Sequence, residues 1–183
     1  MRRCLAIAVA LFTAALPAAA AVKQSAPDGF IVEHRLHIAA TPAQAWATLA
    51  QPARWWPREH TWSGDPANLS LSLTLGGCFC ERWPDGGAEH GHVILLRRNE
   101  LVRLSAALGP LQDMAVTGVL SIAIAPKDDG SEAVVTYRVS GTPAHALDKL
   151  ATVVDQVIGL QFGGWAALDG SAAEKRTAAK KRP

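Results

Sequence analysis

Apolar and polar residues alternate over several short runs of this chain and recur at helical spacing in two others. In 30–38 the apolar positions Phe30, Val32, Leu36 and Ile38 share one face, which predicts a half-buried strand. Residues 40–44 read as a helix start: Thr41 can cap, Pro42 suits the first helical position and Gln44 completes a capping box. That helix carries Ala45, Trp46 and Leu49 and stops before Pro52. A second short turn holds Arg54, Trp55 and Trp56 and ends at Pro57, and Gly64-Asp65-Pro66 is a loop. Leu69, Leu71, Leu73 and Leu75 alternate with Ser70, Ser72 and Thr74 as a one-sided strand, which Gly76-Gly77 breaks. Strands over 78–83 and 88–96 pair across Pro84-Asp85-Gly86. Strands at 101–108, 114–125 and 133–139 follow, the last two joined by Asp128-Asp129-Gly130. The final element is a helix from about Thr142-Pro143. Leu147, Leu150, Ala151, Val154, Val157, Ile158 and Gln161 lie on its stripe, and Gly163-Gly164 is expected to weaken it before Trp165.

This order is strand, two short helices, six further strands and one long amphipathic helix. It predicts an α+β domain in which a curved antiparallel sheet of about seven strands wraps the C-terminal helix. A cavity is left between the two.

The hairpin at 78–92 carries the densest chemistry. If Pro84-Asp85-Gly86 is a three-residue loop, Trp83 pairs with Gly87, Cys80 faces His90 and Cys78 faces His92. All four then project from one face, whereas a loop of two or four residues divides them. Two thiolates and two imidazoles can bind zinc, but a flat ribbon does not converge them well and Cys-x-Cys is tight for such a site. A Cys78–Cys80 disulfide is at the edge of reach on a regular strand. Two small, partly buried thiols are the leading reading. The inward face depends on Gly76-Gly77. A straight chain puts Phe79, Glu81 and Trp83 with the leucines, and a tight turn there puts the thiols with them, so that Cys78, Cys80 and His90 line the cavity.

The element order, together with ATPAQAWATLAQPARWWP, HTWSGD, GGCFCERWPDGG and ALDKLATVVDQVIG, resembles the SRPBCC or START-like superfamily. The nearest likeness is to the branch labelled heat-shock ATPase activator-like or polyketide cyclase-like, over about 30–168. The resemblance implies a helix-grip fold with a ligand cavity under the C-terminal helix. It favours a turn at Gly76-Gly77. It does not assign chemistry.

Composition changes this picture at the two ends. Arg2 and Arg3, an apolar run from Cys4 to Leu16 and the small residues after Pro17 read as a secretory signal peptide over 1–21, cut near Ala20 or Ala21. The expected domain is 29–170, and 171–183 reads as a disordered basic tail. The chain carries a net +2, but residues 21–173 hold 11 basic and 15 acidic residues, a net −4. The basic balance thus lies in the ends, and the domain has no electrostatic footprint for nucleic acid. No other run is apolar for long enough to span a bilayer. A periplasmic or secreted protein is expected.

Several single residues complete the reading. Trp55, Trp56, Trp62 and Trp83 suit either pocket walls or packing, and Trp46 suits the core. His34 is expected as a hydrogen-bonded core histidine. Glu81, if buried, can act as an acid or base, and Arg103 can meet an acidic ligand or pair with Glu81 or Glu100. No G-x-S-x-G, H-E-x-x-H or P-loop pattern is present, and no cofactor or metal is expected. The expected activity is binding of a small hydrophobic or amphipathic ligand. Leu147, Val154 and Ile158 supply its apolar wall, and Trp56, Trp62, Cys80, Glu81 and His90 the remainder. The alternatives are a cyclase- or hydrolase-like enzyme using Glu81 and His90, and a metal or redox site at Cys78, Cys80, His90 and His92.

Overall fold

Alternation along the chain becomes one buried sheet face. In β2 (Gly29–Ile38) the residues Phe30, Val32 and Ile38 are fully buried. β2 lies antiparallel to β8 (Gly130–Ser140), placing Val32 opposite Tyr137 and Phe30 opposite Val139. The face continues through Leu120 and Ile122 of β7 (Thr117–Lys127) and Val102 and Leu104 of β6 (Leu101–Ser105). β5 (Gly86–Arg97), β4 (Cys78–Trp83) and the short β3 (Leu69–Leu71) complete one side, and β1 (Val22–Ala26) adds a strand outside β2. The sheet therefore has eight antiparallel strands in the order β1-β2-β8-β7-β6-β5-β4-β3. The structure, a computed structural model, describes the backbone of residues 22–180 and the side chains of 22–168. The expected signal peptide lies outside the described residues.

The helix α1 (Pro42–Leu49) forms as its capping signals predict. Gln44 N–H donates to Thr41 Oγ1, and Thr41 N–H donates to Gln44 Oε1. Two 3₁₀ turns follow at Pro52–Arg54 and Arg58–His60. The long helix α2 (Ala151–Lys180) packs against the buried sheet face through Ala151, Ile158, Phe162 and Trp165. This is the helix-grip arrangement, α+β as expected.

The structure departs from the sequence expectations in four places besides the β4–β5 pairing. First, α2 begins at Ala151, after separate 3₁₀ turns at Pro143–His145 and Leu147–Lys149, and it runs on through Gly163-Gly164. Gly164 is a place of close packing, since a Cβ there would sit 2.6 Å from the Trp55 carbonyl oxygen. The helix backbone reaches Lys180 and takes in most of the segment expected as a tail. Second, the leucine strand is real only at 69–71. Beyond it Thr74 N–H donates to Ser72 O, Gly77 N–H to Thr74 O and Gly76 N–H to Val93 O, so the chain turns and Leu75 is left exposed. Gly76 holds φ +74°, a conformation glycine adopts without steric cost. Third, this turn does not place the thiols with the leucines. Leu69 pairs with Glu81, Ser70 with Cys80 and Leu71 with Phe79, so Phe79 and Glu81 point inward. Fourth, Arg103 donates to Ser121 Oγ at 3.0 Å rather than meeting Glu81 or Glu100.

Candidate functional site

The β4–β5 connection is a two-residue loop, Pro84-Asp85, which pairs Trp83 with Gly86. Cys80 consequently faces Glu89, not His90. A bulge at His90 then restores the Cys78–His92 pair. The four residues of the expected cluster are thereby divided. Cys78 and Cys80 form a disulfide with Cα atoms 5.4 Å apart. His92 bonds Glu89 across 2.7 Å on the same outer face, and His90 turns inward. Among the described residues, no group of three or more His, Cys, Asp or Glu is placed to hold a metal ion.

The bulge creates the central contact of the site. His90 and Glu81 are both buried, and His90 Nε2 lies 3.1 Å from Glu81 Oε2. Glu81 also accepts the Trp62 N–H at 3.0 Å and the Ser63 N–H at 2.5 Å. Burial alone would raise the Glu81 pKa, but the hydrogen bonds from Ser63, Trp62 and His90 outweigh it and hold the carboxyl below its ordinary value. Burial pushes His90 below its ordinary value by more than the neighbouring carboxylate raises it. At neutral pH the pair is a carboxylate and a neutral imidazole, whose Nε2–H donates to Glu81 and whose Nδ1 is left as an acceptor. Glu81 also fastens the 62–63 segment to the sheet.

Above this pair lies a cavity of about 490 Å³ between sheet and helix. Leu150, just before α2, and Val154, Val157 and Ile158 of α2 form one wall. His90 and Tyr137 come from the sheet, Trp56, His60 and Trp62 from the short turns, and Leu108, Leu111 and Met114 from the loop after β6. Phe79 braces the floor, with its ring 5.1 Å from Trp56 and 4.9 Å from His90. Tyr137 hydroxyl donates to Ala106 O and accepts Leu108 N–H, each at 3.0 Å, which ties the loop to the sheet. Burial raises its pKa, so it remains a neutral phenol.

The expected ligand residues thus divide. Trp56, Trp62, His90, Val154 and Ile158 line the cavity, with Trp62 half-exposed at 53%. Glu81 lies behind His90 and reaches the cavity only through it. Cys80 belongs to the outer face and the disulfide, and Leu147 is fully buried in the core. His34 lies 3.1 Å from the Asp155 carbonyl oxygen and 2.9 Å from Asp155 Oδ1, joining β2 to α2 away from the cavity. The sequence reading singled out neither His60 nor Tyr137, both of which line the cavity. Tyr137 was accessible from its place between Val135 and Val139 on an alternating strand. His60 sits in a 3₁₀ turn that carries no periodic signal.

No family model matches the chain, and no curated protein matches it. Solved structures do match. A Rhodobacter sphaeroides protein is 19% identical, covers 82% of this chain and 97% of its own, and has a TM-score of 0.52. Norcoclaurine synthase of Thalictrum flavum, a point mutant bound to a transition-state analogue, is 14% identical over 79% of this chain and 96% of its own, with a TM-score of 0.54. The di-domain ARO/CYC protein StfQ of the steffimycin biosynthetic pathway is 14% identical over 83% of this chain and 53% of its own, at 0.55. At these identities the likeness is one of fold.

Proposed function

We propose that this protein binds a small apolar or amphipathic molecule in the cavity between the sheet and α2, and that it does so after export. The observation that carries the reading is the cavity itself: about 490 Å³, walled by aliphatic and aromatic side chains with a few polar groups among them. That is the volume and lining typical of small-molecule sites. Among the described residues no helix is long and apolar enough to cross a membrane. Export is supported by the signal-like residues 1–21 and by the Cys78–Cys80 bridge, since disulfides persist in oxidising compartments. Native mass spectrometry of the protein from its source cells tests both halves. The expected result is a chain beginning at Ala21 or Val22 with an organic molecule attached. An intact Met1 would refute export, and a bare chain that takes up no apolar probe would refute binding.

A second reading is favoured by one specific contact. Neutral His90, oriented by Glu81, is arranged as a general base at a cavity wall. The fold also carries a synthase in Thalictrum flavum. In this reading Glu81 is a positioning residue, because its three hydrogen bonds keep it behind the imidazole.

A further inference from the structure

Two residues that line the cavity each carry a buried polar atom with no partner. Gln161, on α2, is 4% exposed, and its Oε1 is shut off from water and unbonded. His60 Nδ1 is in the same condition. Both residues line the cavity. A buried acceptor without a donor is destabilising, and native proteins hold few of them. Beside Val154, Val157 and Ile158 of α2, which also line the cavity, an apolar residue would carry no such penalty. The amide's terminal torsion is soft, so Oε1 can swing to meet a donor that enters the cavity.

Charge restricts that donor further. Glu59 is the one Asp, Glu, Lys or Arg among the lining residues. A carboxylate ligand would be desolvated with no cation to meet it and with Glu81 just behind His90. An ammonium would find Glu81 already holding three hydrogen bonds and Glu59 exposed to solvent, where water screens its charge.

We propose that the ligand is an uncharged, mainly apolar molecule carrying a hydroxyl group, and that this hydroxyl donates to Gln161. The proposal rests on the cavity-binding reading and names its ligand class. It is tested with three probes of one shape, para-octylphenol, para-octylanisole and para-octylbenzoate, titrated calorimetrically into the full chain. The phenol is expected to bind about tenfold tighter than the other two, the worth of one net hydrogen bond. Gln161→Met keeps the length of the side chain and removes the acceptor. It should bring the phenol down to the anisole, leave the anisole unchanged, and unfold at the same temperature as the parent chain or higher. Gln161→Leu repeats the test in a second packing. Equal binding of phenol and anisole, tightest binding of the benzoate, or a phenol preference that survives both variants would overturn the hydroxyl assignment while the cavity reading stands. A lower unfolding temperature in both variants would also overturn it, because the amide would then be paired in the empty protein. If none of the three probes binds, both readings fall together.

Discussion

At the scale of single residues, the Glu81–His90 pair governs the acid response. Both groups are held below their ordinary values of 4.5 and 6.5, so the unfolded chain takes up protons more readily than the folded one. The His90 contribution is complete above about pH 6.5 and is lost as pH falls through the imidazole's lower folded value. The Glu81 contribution is complete above about 4.5 and is lost below that. Urea midpoints measured from pH 8 to pH 4 should therefore fall in two stages. His90→Gln should flatten the upper stage and leave the lower. An unchanged slope between pH 7 and 5 in that variant would assign the upper stage to another group.

At the scale of elements, what could be read in advance depended on whether the signal was local. The β2 alternation, the Thr41–Gln44 capping box and the α2 stripe were all legible, because each needs only neighbours in sequence. The β4–β5 register was not. It turns on one residue of loop length, and a shift of one residue moves every later side chain to the opposite face. The sequence paired Cys80 with His90, whereas the structure bulges His90 and sends it inward to Glu81. The disulfide that results joins residues two apart in one strand. So short a ring restricts the unfolded chain little, and the double variant Cys78→Ser/Cys80→Ser should lose only about 1.5 kcal/mol in denaturant unfolding. A loss of three times that would mean that the bridge organises the sheet edge. Gly164 was misread for the opposite reason, since a pair of glycines signals weakness when the neighbour it admits is not visible. Gly164→Ala should cost about 1–3 kcal/mol, despite the better helix propensity of alanine, because its Cβ would press on the Trp55 carbonyl. A stabilised variant would show that α2 can shift away from Trp55.

At the scale of the molecule, the cavity is the unfilled remainder of a core that is otherwise well packed. Trp165, Phe162, Phe30 and Leu104 close the space between α2 and the sheet elsewhere. At the open part the wall is kept apart by Trp56 and the tied loop at 108–111. If the space exists for a ligand, filling it should remove function without removing the fold. Val154 faces the cavity from α2, and tryptophan there would place an indole in the volume a ligand needs. In a truly packed interior the same change would strain the core by about 1–3 kcal/mol. In an open cavity it adds apolar contact instead. Val154→Trp is therefore expected to unfold at or above the parent temperature and to weaken apolar probes by at least about tenfold, roughly 1.4 kcal/mol of lost binding. The two readouts must move apart for the cavity to be a binding site. Lost stability with lost binding would mean that the space is smaller than its walls suggest. Retained stability with retained binding would move the ligand to another surface.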